Sequence, residues 1–281
     1  MSTSVARPHW SYSAVSQYLR CPLQFYFERV ARLPRRSATD ARVLGSALHT
    51  ALAAHHRRLQ ARRPATPRQV RQDFLAAWAG QADRAAVVAT GGRSVADSRD
   101  LGIALIEAYL REPAPERIVA VERPVLAPIV TSRGDYLERP MLAIADLVTR
   151  QEDGTLRVVE IATSGRAYSA SEVATSLQLT CYAAALFETT GAEPAVEFRV
   201  LVKARVPKVQ AIRATRGRSD YRRLGDIVGA VERGVDSGVF YPVESPMNCS
   251  GCPFYRPCRA WPGPTLSRRA ARGEAREGAR C

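Results

Sequence analysis

The sequence predicts an α/β fold, a mixed sheet flanked by helices, on three observations. Helical periodicity runs through residues 11–111, short β-rich runs begin at residue 117, and helix-period segments return around a further strand after residue 171. With 281 residues, 46% of them hydrophobic, the chain can bury a core, and disorder is not the expected state.

Residues 11–30 read as an amphipathic helix capped by Ser11 or Ser13, with a bend or junction at Pro22. A second helix is expected over 41–60, where Leu44, Leu48 and Leu52 share a face; on this reading His55 and His56 fall on its solvated side. Further helices are expected over 68–80 and 94–111, and no strong strand interrupts this stretch. Strands are then predicted at 118–121, 124–130, 141–149 and 156–161, as a meander with turns at 133–135 and 152–154. A helix over 171–189 stops at Gly191, a strand covers 195–202, and a last helix spans 221–235. Residues 259–281 are rich in Arg, Ala and Gly and read as a disordered basic tail, leaving 1–258 as one domain: a helical part to about 112, a core over 117–236 and a cysteine loop at 249–258.

The formal net charge is +14, spread along the chain, which suits a polyanionic partner equally with a merely basic surface. Lys203 and Lys208 are the only lysines; every other cation is arginine. The start shows no apolar leader, and no run reaches the roughly 18 apolar residues of a membrane span, so a cytoplasmic chain without a membrane partner is expected. In that compartment thiols stay reduced, and clustered cysteines point to metal more than to disulfides.

Of six cysteines, Cys249, Cys252 and Cys258 form a C-x2-C-x5-C run with glycine and proline between the thiols. Such a run turns sharply enough to aim three sulfurs at one point. Cys21, in the Arg20-Cys21-Pro22 helix break, is the candidate fourth ligand. Four thiolates suit either zinc or an iron–sulfur cluster. Cys181, among Leu179, Tyr182 and Ala183, reads as a buried inert thiol, and Cys281 as a bystander.

Two acids stand out. Asp146 follows the apolar run 141–145, and Glu160 ends the run 156–159 beyond a turn. Paired as a hairpin, these strands bring both carboxylates to one end of the sheet, where they are costly unless paired or bound to a cation.

With these pieces on the page, the chain resembles the RecB-like nucleases of the PD-(D/E)XK class that carry a four-cysteine iron–sulfur cluster, a group that includes the AddB nuclease domain. Ser13-x7-Cys21-Pro22 followed by Phe25, Tyr26 and Phe27 resembles their opening, and one early plus three late cysteines match their layout. Ala145-Asp146-Leu147 and Glu160-Ile161-Ala162 resemble the D…(D/E)-x-K pair, Gly45-x3-His49 the upstream G-x3-H, Gln178-x3-Tyr182 the Q-x3-Y helix, and Leu201-Val202-Lys203 the following strand. The resemblance covers residues 11–258 and implies a restriction-endonuclease-like core, with an N-terminal helical region and a C-terminal iron–sulfur loop. It implies Mg²⁺ or Mn²⁺ held by His49, Asp146, Glu160 and the carbonyl of Ile161, and a [4Fe–4S] cluster on Cys21, Cys249, Cys252 and Cys258. It also implies nucleic-acid contacts from Gln178 and Tyr182, with Arg166 expected to join them, and DNA of single-stranded character as substrate, in repair, recombination or defence. No Walker A motif occurs, so any unwinding needs a partner helicase.

One position departs from the pattern: the motif lysine is Ala162. Two readings follow. In one, Lys203 or Arg166 substitutes and the domain is a metal-dependent DNA nuclease, an exonuclease in expectation; arginine can offset charge but accepts protons poorly. In the other, the site is degenerate and the domain is a DNA-binding or structural module.

Overall fold

A computed structural model describes residues 8–35, 37–82, 86–90, 92–115 and 117–263. β1 (Trp10–Ser11) leads into α1 (Tyr12–Arg20), where the Ser11 side chain accepts the N–H of Ala14 as N-cap. The extended backbone of Cys21 breaks the helix before α2 (Pro22–Phe25) and a π-helical turn (Tyr26–Val30), so of the bend or junction expected at Pro22 the chain takes the junction. β2 (Ser37–Thr39) precedes α3 (Asp40–Gln60), α4 (Pro67–Ala82) follows, and β3 (Ala86–Val88) returns to pair with β2 in parallel. α5 (Val95–Arg111) begins at a reciprocal capping box between Ser94 and Asp97.

Next come β4 (Arg117–Val121), β5 (Val125–Ala127), β6 (Met141–Ala143), β7 (Leu147–Arg150) and β8 (Leu156–Ser164). α6 (Ala170–Ala174) and α7 (Leu177–Thr190) follow, the latter ended by Gly191 in the left-handed conformation. β9 (Ala195–Val202), β10 (Lys208–Ala214), α8 (Arg218–Asp236), α9 (Pro246–Cys249) and α10 (Tyr255–Arg259) complete the described chain.

The main sheet has the order β10-β9-β8-β7-β4, with β8 and β9 parallel and the other neighbours antiparallel. A second sheet, β1-β6-β5, lies beside it. Along β8 the side chains divide between two cores. Ile161, with Leu201 of β9, packs under α3, α4 and α5 through Leu44, Leu48, Phe74 and Leu105. Val158, with Phe198 and Val200, packs under α7 through Leu179 and Ala183. This is a restriction-endonuclease-like α/β architecture with helices on both faces of a mixed sheet. Among the described residues, no helix is long and apolar enough to cross a membrane.

Five points need correction. Residues 141–149 are two strands in two sheets, β6 and β7, because the chain leaves one sheet and enters the other at residues 144–146. The strands therefore do not form a simple meander; β4 pairs with β7, and β5 with β6. The helical part contains the short pair β2 and β3, whose three-residue strands are too brief to carry an alternating pattern. β10 was not foreseen, since an edge strand open to solvent has no strict apolar face. His55 and His56 are buried, not solvated, because α3 is enclosed by α4 and α5 on one side and the sheet on the other; the Nε2 of His56 meets the Tyr109 hydroxyl at 2.9 Å. Of the expected tail, residues 264–281 lie outside the described residues.

Candidate functional site

Asp146 sits where the backbone crosses between the two sheets. Its carbonyl accepts the N–H of Glu122 (3.1 Å), which pins the crossover to the end of β4. Glu122 itself adopts a positive φ of 45° and pairs with Arg57 of α3 at 2.7 Å. Thus fixed, the Asp146 carboxylate accepts the backbone N–H of Ile161 on Oδ2 (2.6 Å) and meets His49 Nδ1 on Oδ1 (2.8 Å). His49 comes from the middle of α3. Burial works against its charged form, but the hydrogen bond and charge of Asp146, with Glu122 beyond, carry its pKa above the ordinary value.

Glu160 lies on β8, 6% exposed. Gln178 Nε2 donates to its Oε1 at 2.5 Å and also meets the Tyr182 hydroxyl at 3.2 Å. The other oxygen, Oε2, is buried with no hydrogen-bond donor. Burial, then the neighbouring Asp146 carboxyl, pushes the Glu160 pKa well above the ordinary range. Two carboxyl groups this close coexist only by sharing a proton or a cation. The same pair, together with burial, raises Tyr182.

The sequence-predicted residues divide cleanly. His49, Asp146, Glu160, the Ile161 backbone, Gln178 and Tyr182 are brought together. Lys203 and Arg166 are not. Lys203 follows the end of β9, five residues beyond the register partner of Glu160, about 16 Å along the strand. Its pKa is lowered by burial and then by Arg93, with Asp40 opposing, so its charged neighbours are not the two site acids. Arg166 is exposed and forked onto Glu172 (2.6 and 2.8 Å). The Ala162 methyl packs in the α7-side core with Val158 and Phe198. Glu122 was missed by sequence reasoning: its only signal is an acid closing a β-run, which surface acids share.

The four cysteines of the second constellation line one pocket, although they come from both ends of the chain. Cys21, Cys252 and Cys258 pack around Leu23, Phe27 and Phe254. The N–H of Val243 points to Cys21 Sγ at 3.5 Å, and Gln24 Nε2 to Cys252 Sγ at 3.9 Å. Burial first, then the neighbouring thiols, raises Cys252 and Cys258. All the described cysteines are free thiols. Cys181, by contrast, is fully buried in the α1–α8 core with a pKa pushed up to about 12, the inert thiol expected. As they stand, no three or more His, Cys, Asp or Glu side chains among the described residues are drawn together closely enough to hold a metal ion.

A family model for the PD-(D/E)XK nuclease superfamily matches residues 9–259. The chain belongs to the PD-(D/E)XK nuclease superfamily. The match spans both constellations, from the strand before Cys21 to the end of the cysteine loop. Among solved structures, a candidate exonuclease from Eubacterium rectale is similar at 11% identity, with a TM-score of 0.50 over 95% of this chain and 94% of that one. That likeness is one of fold. A structure designated SSO0001 is 16% identical over 88% of this chain and 95% of that one, with a TM-score of 0.35, too low to argue from. No curated protein matches the sequence.

Proposed function

We propose that the protein is a metal-dependent DNA nuclease, acting as an exonuclease on DNA of single-stranded character, with Asp146, Glu160 and His49 as its cation site. The observation that carries this reading is the unpartnered, buried Oε2 of Glu160 beside the Asp146 carboxyl. A buried acid pair without a donor between them is the donor set a hard divalent cation takes. Held there, Mg²⁺ or Mn²⁺ would polarise the scissile phosphate and lower the pKa of an attacking water.

The chain's own residues supply the rest. Ile161 N–H and His49 orient Asp146; Gln178 holds Oε1 of Glu160 and leaves Oε2 free; Tyr182 buttresses Gln178. The carbonyl of Ile161 is a further ligand on this reading. We assign no role in water activation to Lys203 or Arg166, because one lies beyond the strand end and the other is held by Glu172. The metal alone then carries the task of the missing lysine, and turnover is slow. A role in repair, recombination or defence with a helicase partner rests on the RecB-like resemblance.

We propose that Cys21, Cys249, Cys252 and Cys258 are the ligands of a metal centre: the four line one pocket, and two of their sulfurs face N–H groups, although binding would have to draw the thiols closer than they now stand. On the resemblance we take the centre to be [4Fe–4S]. It would clamp α1–α2 to the chain after α8. Colourless, anaerobically purified protein with stoichiometric zinc would exclude iron–sulfur.

The functional test is cleavage of 5′- and 3′-labelled single-stranded and duplex DNA in Mg²⁺ or Mn²⁺, with Asp146→Ala as control. Progressive shortening from one end, lost in the control, is expected. Ala162 supports the second reading, a binding module; tight, salt-sensitive DNA binding with no cleavage in either metal would establish it instead.

A further inference from the structure

A groove separate from the two acids carries three arginines from three elements. Arg20 ends α1, Arg35 precedes β2, and Arg42 lies in the first turn of α3. Asn248 and Ser250 of the cysteine loop also line it, Asn248 Nδ2 donating to the Arg20 carbonyl at 3.2 Å, and no carboxylate lines the groove among the described residues. Arg20 and Arg42 are exposed and make no ion pair among the described residues; the Arg20 guanidinium hydrogen-bonds Gln24 at 3.2 Å. Arg35 is tied to Glu28, and its Nε is buried without a partner.

The groove is connected to the acid pair along α3. Arg42 and His49 are seven residues apart, two turns, so they share a helix face with about 10 Å between them. Gly45 lies between them on that face. A Cβ built there meets nothing within 4 Å, so neither packing nor backbone conformation demands the glycine. Its cost to the helix, about 1 kcal/mol relative to alanine, has no return in the fold.

We propose that the groove is a phosphate subsite for the single-stranded DNA substrate, and that the strand runs from it over Gly45 to the acid pair. This inference rests on the nuclease reading above. At 3.4 Å per phosphate of a stacked strand, the lane is about three nucleotides long. Arg20 and Arg42 neutralise backbone phosphates, and the absent side chain of Gly45 lets the sugar–phosphate chain lie against the helix. The subsite reads backbone, not sequence. It also makes the cysteine loop a wall of the substrate path.

The test uses the full chain with its metal centre intact. Binding of fluorescein-labelled dT20 is measured by anisotropy in Ca²⁺, and hydrolysis of bis(p-nitrophenyl) phosphate, which reaches only the acid pair, is measured in Mn²⁺. Arg20→Ala and Arg42→Ala should each weaken dT20 binding about tenfold and flatten its logarithmic salt slope by about 0.7. Gly45→Gln, a better helix former, should melt no lower than wild type yet bind dT20 at least tenfold more weakly. All three should leave hydrolysis of the small diester unchanged. Binding of dT20 within twofold of wild type in all three variants would overturn the subsite even if the enzyme cleaves DNA. Absence of wild-type hydrolysis of either substrate would instead sink the nuclease reading, while the binding arm still decides the groove.

Discussion

At the scale of single residues, Glu160 is a costly group to bury. It is buried, one oxygen has no donor, and Asp146 stands beside it. Its pKa is raised, so the folded state prefers the neutral acid; above the ordinary Glu pKa this removes stability, increasingly so up to the folded value. Glu160→Gln should therefore raise the melting temperature of cation-free protein at pH 7.5, by about 2–4 °C for each kcal/mol relieved. It should also abolish the stabilisation by Mn²⁺ expected of wild type, about 2.7 kcal/mol at one hundred times the dissociation constant. Differential scanning fluorimetry with and without Mn²⁺ reads both effects; a lower melting temperature in the variant would contradict the account. Ala162 is the second residue of interest. Restoring the motif by Ala162→Lys should speed DNA cleavage by about 100–1000-fold, the range of a single charge-stabilising donor. Unchanged rates would mean that the ammonium has no task here. Both acids and His49 were legible in the sequence as residues. Lys203 was not placed correctly, because how far a strand residue stands from its neighbour's active position depends on register, which a single sequence does not contain. Glu122 was illegible because its role depends on a backbone bond to Asp146.

At the scale of elements, α3 does most to build the site. It carries Arg42, His49, His56 and Arg57 past successive parts of the sheet, and its burial on both sides holds His49 against Asp146. That burial also makes His56 an acid-sensitive element. Desolvation, then His55 and Arg199, lowers its pKa to about 3, while the unfolded chain takes up a proton near 6.5. The sign follows: the unfolded state binds more protons between these values, so stability is full above about pH 6.5 and is lost as pH falls toward about 3. The loss is about 1.4 kcal/mol per pH unit. In urea unfolding from pH 8 to pH 4, the difference in stability between wild type and His56→Gln, whose amide can still meet Tyr109, should show this slope. Equal slopes in both proteins would locate the acid sensitivity elsewhere. The periodicity of α3 was readable in the sequence, but its enclosure was not, because alanine occupies much of the face that α4, α5 and the sheet cover. In the same way, 141–149 reads as one apolar run, and the change of sheet that exposes Asp146 leaves no mark in it.

At the scale of the whole molecule, two constellations of residues, each assembled from distant parts of the chain, share one α/β frame. Cys21 and the 249–258 loop bring the first helices against the chain after α8. If these thiols hold a metal centre, its loss opens a loop of about 230 residues in the unfolded chain, where closure entropy is greatest. Cys252→Ser should then lower thermal stability by several degrees and remove bound iron from anaerobically prepared protein. Unchanged melting and metal content would mean that the cysteines are not ligands. The fold class, the order of most elements and both constellations could be read from the sequence. The two-sheet arrangement could not, since it is set by pairings between strands far apart in the chain, as β1 with β6.

The most direct test of the central claim, that Asp146 and Glu160 form a cation site for phosphodiester hydrolysis, is one titration. The rate of cleavage of single-stranded DNA is followed against Mn²⁺ concentration for wild type, Asp146→Asn and Glu160→Gln, each shown to be folded. The account predicts a rate that rises from zero to saturation in wild type and stays at background in both variants. Cleavage without metal, or cleavage that survives both substitutions, would contradict it.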